Sequence, residues 1–564
     1  MQLVVLEALP GARTIAVSAA ALEMTALAGA DATYRHLRVV GGKLTWRALA
    51  ANSTTARRAD PAGVILQDRY GVELWRGGAP TKAALDAGLA SLLGLRADHA
   101  NSVAGMLSRV PSPGGQPHSA RLSIDLALQK ASRAALECIG MRRGQFDGAR
   151  CSGGQAAPHG RQAGIIILDT DNGDILAAAG SGGGVVNAGN WTEVRDFDRA
   201  NPARSPLRLQ ALQHDGGAHR SPGSTFKIIS ALGLELAAQR DPQVEALLAG
   251  MPLPAINRMA QKRGFAFQTN AASYPFGTRL AHITNYKDQH LDRRAEDGRL
   301  GLAQALTYSL NTWFAWSGEL SDRSLFGRAQ GGAPDVQALE AGALDSVRPI
   351  AAMAHRVGFG QELRLDGGLL PENFRWSQWD ALQASEAHID PIHTRHELRQ
   401  MAIGLRMQAT PLHMAMVAGA VGQGRVIAPR LLLELDGREA QTVTPPKLGV
   451  RLDRIRDGMK GVIDSGTAAG AFSGPGMVAV RRGLSGKTGT SPAFVTGADG
   501  VRRELATVWF TGYLEPGSVP GQRHRLAVAA FVSHSEASGG EHAAPIVAAV
   551  LGSMATLNRE QKGK

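Results

Sequence analysis

The chain has 564 residues, which is long enough for several domains. Of these residues 44% are hydrophobic and 20% are charged, a composition that excludes a wholly disordered, collagen-like or coiled-coil protein. It carries 61 Lys and Arg against 49 Asp and Glu, a formal net charge of +12 that favours anionic partners. No long block of Lys or Arg is present, so the sequence does not indicate a nucleic-acid partner.

The N-terminus carries no recognisable targeting signal. Residues 1–12 contain Glu7 and no Lys or Arg, so the positive region of a signal peptide is missing. Residues 14–30 are mildly apolar, but Glu23 lies at their centre and the stretch is short for a bilayer span, which predicts a soluble helix. Neither a signal peptide nor a transmembrane anchor is visible in this chain, so we expect either a protein that is soluble where it is made or an anchor that preceded Met1.

The first part of the chain predicts a small mixed region. Residues 63–75 alternate around an Asp-Arg-Tyr-Gly turn and predict a hairpin, and residues 83–93 have helical apolar spacing. Residues 111–117 (PSPGGQP) are the best candidate for a linker. This organisation predicts an N-terminal region at 1–118 and a larger domain at 119–560.

The larger domain alternates between strand and helix patterns, with insertions expected at about 239–300 and 382–400. Its strands come from both ends of the segment, which predicts an α+β fold with one antiparallel sheet flanked by helices. In chain order we expect a helix at 126–139 capped by Asp125, a hairpin of strands 164–169 and 174–179, helices at 226–238 and 302–316, a polar loop at 382–400, helices at 410–421 and 454–464, strands at 478–484, 505–513 and 525–533, and a last helix at 543–557.

Two cysteines are too few for a disulfide scaffold or a four-ligand zinc site. Cys138 and Cys151 lie thirteen positions apart. They can pair in an oxidising compartment or remain as two free thiols, and the sequence leaves both possibilities open.

The first candidate for chemistry is residues 222–227 (PGSTFK), which lead into an apolar helical stretch. Pro-Gly predicts a turn, so Ser224 lies at a helix N-terminus, where free N–H groups favour a developing oxyanion. Lys227 follows three residues later on the same helix face. Apolar surroundings lower the pKa of its amine, and a neutral amine accepts a proton from a serine hydroxyl. An N-cap serine followed by a snorkelling lysine fits the same residues.

Residues 309–311 (SLN) are the second candidate and lie in an apolar helical stretch. There the polar side chains of Ser309 and Asn311 bond to local backbone or face a polar cleft. Alone, this triplet predicts little.

The third candidate is residues 487–490 (KTGT), which we place on a strand. A phosphate loop is excluded, because Arg481 occupies the position of its first glycine and Ser491-Pro492 breaks any helix that would follow. On a strand, Lys487, Thr488 and Thr490 offer a cation, hydroxyls and a backbone N–H to an anionic substrate, and Gly489 permits close approach.

Together and in this order, Ser-x-x-Lys, Ser-x-Asn and Lys-Thr-Gly resemble the motifs of serine acyl-transferases that act on D-alanyl peptides and β-lactams. The chain resembles the transpeptidase domain of penicillin-binding proteins over about residues 119–555. Further segments that are similar to this family are 122–129, 164–177, 356–360, 409–415, 464–467, 509–513 and 543–545.

The resemblance implies roles for the matching residues. Ser224 would be the acylated nucleophile, and Lys227 would be its base. Ser309 and Asn311 would relay the proton and hold the substrate amide. Lys487 would complete the polar network, Thr488 and Thr490 would bind the substrate carboxylate beside Gly489, and the N–H groups of Ser224 and Thr490 would form the oxyanion hole.

The function implied is that of a peptidoglycan D,D-transpeptidase working outside the cytoplasmic membrane, without cofactor or metal. Its partners would be stem peptides, the lipid-linked precursor, β-lactams and cell-wall synthesis proteins. A D,D-carboxypeptidase or β-lactamase, and a β-lactam sensor or non-catalytic scaffold, remain as alternatives. No glycosyltransferase motif is found, which indicates the monofunctional type.

The sequence also departs from the family pattern. Residues 63–71 are similar to the element that opens the family's non-catalytic pedestal, but Ala62 and Tyr70 replace its Arg and Asn. Residues 404–406 (GLR) stand where Gly-Gln-Gly is common. A metal site among His388, His393 and His396 is not predicted, since residues 396–400 lack the second His of His-Glu-x-x-His.

Overall fold

The structure is a computed structural model, and it describes residues 14–16, 34–40, 43–48, 63–112, 115–184, 186–187, 189–214, 221–262, 273–274, 283–284, 292–324, 341–496 and 500–562. It divides into two compact units, Met1–Arg57 and Arg58–Lys564.

The described strands are β1 Thr14–Ala16, β2 Tyr34–Val40, β3 Lys43–Ala48, β4 Ile65–Gln67, β5 Glu73–Arg76, β6 Ala79–Pro80, β7 Ser119–Leu122, β8 Gln145–Phe146, β9 Cys151–Ser152, β10 Ala163–Asp169, β11 Ile175–Ser181, β12 Met251–Pro252, β13 Ser273–Tyr274, β14 Ile283–Thr284, β15 Arg299–Leu300, β16 Leu363–Arg364, β17 Gln383–Ala384, β18 His388–Ile389, β19 Met407–Gln408, β20 Leu432–Leu435, β21 Arg438–Glu439, β22 Leu484–Thr496, β23 Arg502–Leu514 and β24 Leu526–Ser535.

The described α-helices are α1 Lys82–Asp86, α2 Ala90–Leu93, α3 Val103–Leu107, α4 Leu126–Ala135, α5 Trp191–Ala200, α6 Lys227–Ala238, α7 Pro242–Ala249, α8 Leu253–Lys262, α9 Leu302–Thr307, α10 Asn311–Ser321, α11 Ala341–Val347, α12 Pro349–Arg356, α13 Arg395–Ala402, α14 Pro411–Gln423, α15 Asp453–Asp464, α16 Val478–Gly483 and α17 Ala543–Lys562.

The first unit contains a three-stranded sheet in the order β1-β3-β2, in which both pairs are antiparallel. Residues 14–16, predicted to begin a helix, form a strand of this sheet, so the prediction is wrong for those residues. The remainder of the predicted helix, 17–30, lies outside the described residues.

The second unit is built on a five-stranded sheet in the order β11-β10-β24-β23-β22. Every neighbouring pair is antiparallel, and β10 and β11 come from one end of the domain while β22 to β24 come from the other. This arrangement confirms the predicted sheet. The strand β22 carries the third motif and lies at the edge of the sheet.

Both faces of this sheet are covered by helices, which explains why β10 is an unbroken apolar run. Its residues Ile166 and Leu168 join the core that contains α6 and α14, whereas Ile165 and Ile167 join the core that contains α4 and α17. Successive side chains of a strand point to opposite faces, so a strand buried on both sides must be apolar at every position.

A second sheet links the early and late parts of the chain in the order β21-β20-β7-β4-β5-β6. The hairpin predicted at 63–75 is confirmed by the antiparallel pair β4 and β5. The strand β4 also pairs in parallel with β7, on the other side of the predicted linker. The domain boundary near residue 118 stays a prediction.

Several predicted elements are interrupted or of another type. The helix at 83–93 is divided into α1 and α2, with Gly88 between them at φ 71°. The loop at 382–400 contains β17, β18 and the start of α13, where Thr394 and Glu397 form a capping box.

The strand predicted at 478–484 is wrong, because the structure has the helix α16 there and β22 begins at Leu484. The helix exposes Val478 and buries Val480, and two alternate valines imitate the periodicity of a strand.

Cys138 and Cys151 form a disulfide that ties the segment after α4 to the β8–β9 hairpin. Among the residues that the structure describes, no helix combines the length and apolarity that crossing a membrane requires.

Candidate active site

The first motif forms a tight turn that leads into a buried helix. Ser224 lies on a 3-10 turn, Gly223–Phe226, and α6 begins at Lys227. The side chain of Thr225 closes the turn by donating to the carbonyl of Pro222 at 2.7 Å. Ser224 is half-buried, whereas most of α6 behind it is fully buried, as its apolar sequence predicts.

The amine of Lys227 is the centre of the polar contacts in the site. Lys227 is 0% exposed, and its Nζ donates to the carbonyl of Ser309 at 2.8 Å, to Ser309 Oγ at 3.2 Å and to Asn311 Oδ1 at 2.5 Å. Burial, and then the charge of Lys487, hold the pKa of Lys227 well below its usual value. An amine with a lowered pKa loses its proton at a lower pH than an exposed lysine does, and only the deprotonated amine can accept a proton.

Ser309 and Asn311 lie at a break between two helices and not within one helix as predicted. The helix α9 ends at Thr307 and α10 begins at Asn311. Ser309 has φ 57°, in the left-handed region that a non-glycine residue rarely adopts. The break allows the carbonyl and hydroxyl of Ser309 and the amide of Asn311 to reach one amine, which a continuous helix cannot do.

The third motif lies on β22, as predicted. Lys487 is 0% exposed, and its Nζ donates to the carbonyl of Thr488 at 3.0 Å. Burial lowers the pKa of Lys487 to about 7. The register places Lys487 opposite Thr511 and Thr490 opposite Val508 on β23, so backbone pairing fixes the motif along its length.

The backbones of the first and third motifs touch. A Cβ on Gly223 would lie 2.8 Å from the carbonyl oxygen of Thr490, and one on Gly489 would lie 2.3 Å from that of Pro222. Only residues without a side chain permit this approach. Ser224 therefore directly follows a residue that packs on the Lys-Thr-Gly strand. The structure thus brings all eight predicted site residues into one region.

Sequence analysis missed three residues that support this arrangement. Gly404 accepts a hydrogen bond from the N–H of Gly223 at 3.0 Å through its carbonyl. Thr467 Oγ1 lies 2.6 Å from Thr488 Oγ1, and the N–H of Gly539 donates to Thr490 Oγ1 at 3.2 Å. Thr467 lies in the segment 464–467, which is similar to the family, and Gly404 lies in 404–406, where the sequence departs from the family pattern. Nothing in the sequence marks Gly539.

The residues at 404–406, where the sequence departs from the family's Gly-Gln-Gly, include one with an unusual backbone conformation. Arg406 adopts φ 64°, a conformation natural to glycine, at a position where the resembled family has glycine. Its guanidinium lies 3.4 Å from a carboxylate oxygen of Glu397.

Metal-ligand geometry occurs in one group within the described ranges. The side chains of Asp169, Asp171 and His524 each have a ligand atom within 4.8 Å of the others. They lie beside β10 and β24, outside the three motifs. Asp169 already accepts hydrogen bonds from His524 at 2.7 Å and from Asn172 at 3.2 Å. The site chemistry described above does not use them.

One protein-family model, described as the penicillin binding protein transpeptidase domain, matches residues 255–552. The matched segment includes Ser309, Asn311 and Lys487 and begins after Ser224 and Lys227. A search among curated proteins finds no match.

Solved structures similar to this chain include the D,D-transpeptidase domain of a peptidoglycan glycosyltransferase from Eggerthella lenta, with TM-score 0.53 and 21% identity over 87% of this chain and 98% of that one. Penicillin-binding protein A from M. tuberculosis, as a ceftriaxone acyl-enzyme complex, has a TM-score of 0.50 and 20% identity over 78% of this chain and 80% of that one. Pseudomonas aeruginosa PBP2 in complex with WCK 5153 has a TM-score of 0.53 and 18% identity over 87% of this chain and 94% of that one. These likenesses confirm the predicted fold class.

Proposed function

Since the chain belongs to the family of penicillin-binding protein transpeptidase domains, whose model matches more than half of it, we propose that it is a serine-type D-Ala-D-Ala transpeptidase that forms its acyl-enzyme at Ser224. The family consists of acyl-transferases that cross-link peptidoglycan and bind β-lactams, and this chain is of that class.

The observation that carries the proposal is the environment of Lys227. Its fully buried amine contacts both residues of the Ser-x-Asn motif and lies one helical turn after Ser224. Desolvation of a buried amine without a carboxylate among its described contacts favours the neutral form over the ammonium, and a neutral amine is what a serine nucleophile needs as a base. The contacts and the pKa shift thus support the same role.

In the acylation step, Ser224 Oγ attacks the carbonyl carbon of the penultimate D-Ala while its proton passes to Lys227 Nζ. The carbonyl oxygen becomes an oxyanion, which the N–H groups of Ser224 and Thr490 would stabilise. The C–N bond then breaks, and the terminal D-Ala leaves as an amine that receives the proton. Ser309 lies within hydrogen-bond distance of Lys227 and would relay that proton.

In the second step, the amine of a neighbouring stem peptide attacks the ester carbonyl. An amide bond forms, the ester bond to Ser224 breaks, and the serine regains a proton. With water as the acceptor, the same steps describe a D,D-carboxypeptidase or a β-lactamase. Analysis of the products therefore distinguishes an amine acceptor from water.

The strand half would hold the substrate. Thr490 is exposed on the edge strand β22, whereas the missing Cβ of Gly489 makes room for the carbonyl of Pro222 in the nucleophile turn. We assign Thr488 and Thr490 to the substrate carboxylate, beside Gly489. Lys487 completes the polar network through its charge, which acts on Lys227.

We extend the proposal to location, domains and partners. The family works outside the cytoplasm, and the disulfide between Cys138 and Cys151 suits an oxidising compartment. We therefore place the protein in the periplasm or at the outer face of the membrane. Residues 1–118 would serve as a pedestal-like region for the transpeptidase domain at 119–560, and the lipid-linked precursor and cell-wall synthesis proteins would be its partners.

The test is to follow a peptide ending in D-Ala-D-Ala with and without an amine acceptor. We expect release of D-Ala, and a new amide product when the amine is present. Ser224→Ala should lose both, whereas Ser346→Ala, on an exposed helical serine, should keep both. Release of D-Ala without the amide product would indicate a hydrolase. No release in the intact protein would favour a β-lactam sensor or scaffold.

A further inference from the structure

The loop between β24 and α17, residues 536–542, lies against the strand that carries the third motif. A Cβ on Gly539 would lie 2.5 Å from the carbonyl oxygen of Gly489. A Cβ on the next residue, Gly540, would lie 2.0 Å from the carbonyl oxygen of Thr467. Two successive glycines therefore let the backbone of this β24–α17 loop pack closely on both neighbouring segments.

This packing orients the hydroxyl of Thr490. The N–H of Gly539 donates to Thr490 Oγ1 at 3.2 Å. A hydroxyl has one proton and two lone pairs, so Thr490 accepts here with a lone pair and its proton is directed to another acceptor. Thr490 is exposed, and a carboxylate bound at the strand is such an acceptor. The position of Gly539 therefore decides how well Thr490 can donate to a substrate.

His542, the last residue of the loop, holds the loop from inside the protein. It is 1% exposed, and its Nδ1 lies 2.8 Å from Oγ of Ser535, the residue that ends β24. The backbone N–H of His542 donates to the carbonyl of Ser538 at 3.0 Å, directly before Gly539. His542 therefore fixes both the start of the loop and the residue that precedes the contact with Thr490.

The second ring nitrogen of His542 ties the loop to the helical turn that follows α4. Nε2 lies 3.1 Å from the carbonyl oxygen of Ile139 and 3.0 Å from that of Gly140. Carbonyl oxygens only accept, so Nε2 carries a proton. Burial lowers the pKa of His542 to about 4, so the ring is neutral at pH 7 and Nδ1 accepts the proton of the Ser535 hydroxyl. A single tautomer of the imidazole thus satisfies all three partners.

The turn that His542 contacts is itself braced on both sides. Cys138, directly before Ile139, is covalently joined to Cys151 by the disulfide. On the other side, Arg161 Nη1 donates to the carbonyl of Met141 at 2.9 Å. The two carbonyls that receive the Nε2 proton are therefore held in place, and they give the loop a fixed anchor.

We propose that His542 is a positioning residue of the transpeptidase reaction, which holds the β24–α17 loop so that Gly539 orients the hydroxyl of Thr490 toward the substrate carboxylate. This inference rests on the proposed function, which assigns Thr490 to that carboxylate. His542 is not a reacting group, because it is buried and both of its ring nitrogens are bonded to protein atoms. Its loss therefore weakens the binding of substrate and leaves the chemical step almost unchanged.

The test measures acylation of the full chain by a fluorescent penicillin, which carries a carboxylate, over a range of penicillin concentrations. His542→Leu should raise the concentration that gives the half-maximal rate about tenfold and change the maximal rate constant less than about twofold. His542→Gln should recover most of the affinity, because its amide N–H can donate to the carbonyls of Ile139 and Gly140.

Two serines on β24 supply a matched pair of milder variants. Ser535→Ala removes the partner of Nδ1 and should raise the half-maximal concentration about threefold. Ser533→Ala, at an equally buried serine that bonds to the backbone of Gln162 instead, should behave as the wild type does.

Hydrogen exchange of the peptide that covers 536–542 reports on the loop without any substrate. We expect it to be about tenfold faster in His542→Leu than in the wild type, while exchange in β10 is unchanged and shows that the variant is folded. The proposal is overturned if exchange in the loop is the same in both proteins, or if His542→Leu lowers the maximal rate constant and leaves the half-maximal concentration unchanged. A wild type that is never acylated would overturn the proposed function, and the exchange data would still decide whether His542 holds the loop.

Discussion

The two halves of the site are built in different ways. The helical half surrounds one buried amine, Lys227, whose contacts come from a break between α9 and α10. The strand half is ordered by continuous backbone pairing between β22 and β23. The buried amine of Lys487 is hydrogen-bonded to a carbonyl within its own motif.

Because of this difference, we expect substitutions in the two halves to have different effects. In the helical half each side chain contributes a specific contact to the chemistry, so a single change should affect the acylation rate. In the strand half the backbone supplies the geometry, so side-chain changes should affect stability or substrate affinity more than the chemical step.

The largest effect is expected for Lys227→Ala. Loss of the base should lower the rate of acylation by a fluorescent penicillin about 10³-fold, since general-base catalysis contributes 10²–10⁴. Stopped labelling reactions followed by gel fluorescence measure it. Lys82→Ala, at an exposed helical lysine, is the matched control and should label normally. A rate within tenfold of the wild type would contradict the role of Lys227.

The next effect concerns the contact that supports the nucleophile turn. Gly404 and Gly437 both have positive φ, at 90° and 76°, but only a Cβ on Gly404 would meet backbone, 1.7 Å from the carbonyl oxygen of Gly223. We expect Gly404→Ala to lower the free energy of unfolding by about 3 kcal/mol and to slow acylation. Gly437→Ala should cost about 1 kcal/mol and leave acylation intact. Urea titration and labelling test this pair, and equal effects would refute the close contact.

A smaller effect is expected for Asn311→Asp, which keeps the shape of the side chain and adds a negative charge. A carboxylate beside Lys227 favours its charged form and so raises the pKa of the amine. Labelling at neutral pH should fall about tenfold and should recover as the pH is raised. A pH profile of the acylation rate measures this. A loss that is uniform across the pH range would contradict the proposed role of a neutral amine.

The smallest effect on the acylation rate is expected in the strand half, where the quantity that changes is the stability as a function of pH. The pKa of Lys487 is about 7 in the folded protein and near 10.4 in the unfolded chain. Between these values the unfolded state binds the proton and the folded state does not, so stability rises with pH by about 1.4 kcal/mol per unit. Below about 7 both states are protonated and this contribution is flat.

Removing the amine removes this contribution, together with the charge that lowers the pKa of Lys227. Lys487→Met should lower the slope of unfolding free energy against pH between about 7 and 10 by the same amount. Urea titrations at several pH values measure the two slopes. Parallel curves for the wild type and the variant would show that burial does not shift the pKa of Lys487.

Much of the fold was accessible from periodicity. The apolar run of β10, the turn after it and the cap at Asp125 each have local causes, and the structure confirms them. The break at Ser309 was not accessible, because apolar residues continue on both sides of it and a positive φ at serine leaves no pattern in the sequence. The strand predicted at 478–484 is wrong because two alternate valines fit both a strand and a short helix with one buried face.

The candidate site shows the same limit. The identities of Ser224, Lys227 and Lys487 came from motifs whose spacing along the chain has chemical meaning. The contacts of Thr467 and Gly539 join segments that are far apart in sequence and depend on how β22 packs on its neighbours. Such contacts follow from tertiary structure, which no local pattern encodes.

The proposed function requires that Ser224 is the residue that is acylated. The most direct measurement is labelling of the purified protein by a fluorescent penicillin, followed for an hour and mapped by peptide mass spectrometry, with Ser224→Ala alongside. We expect a stable label on the peptide that contains Ser224, and none in the variant. A label that persists in Ser224→Ala, or one that maps to another residue, would show that Ser224 is not the nucleophile.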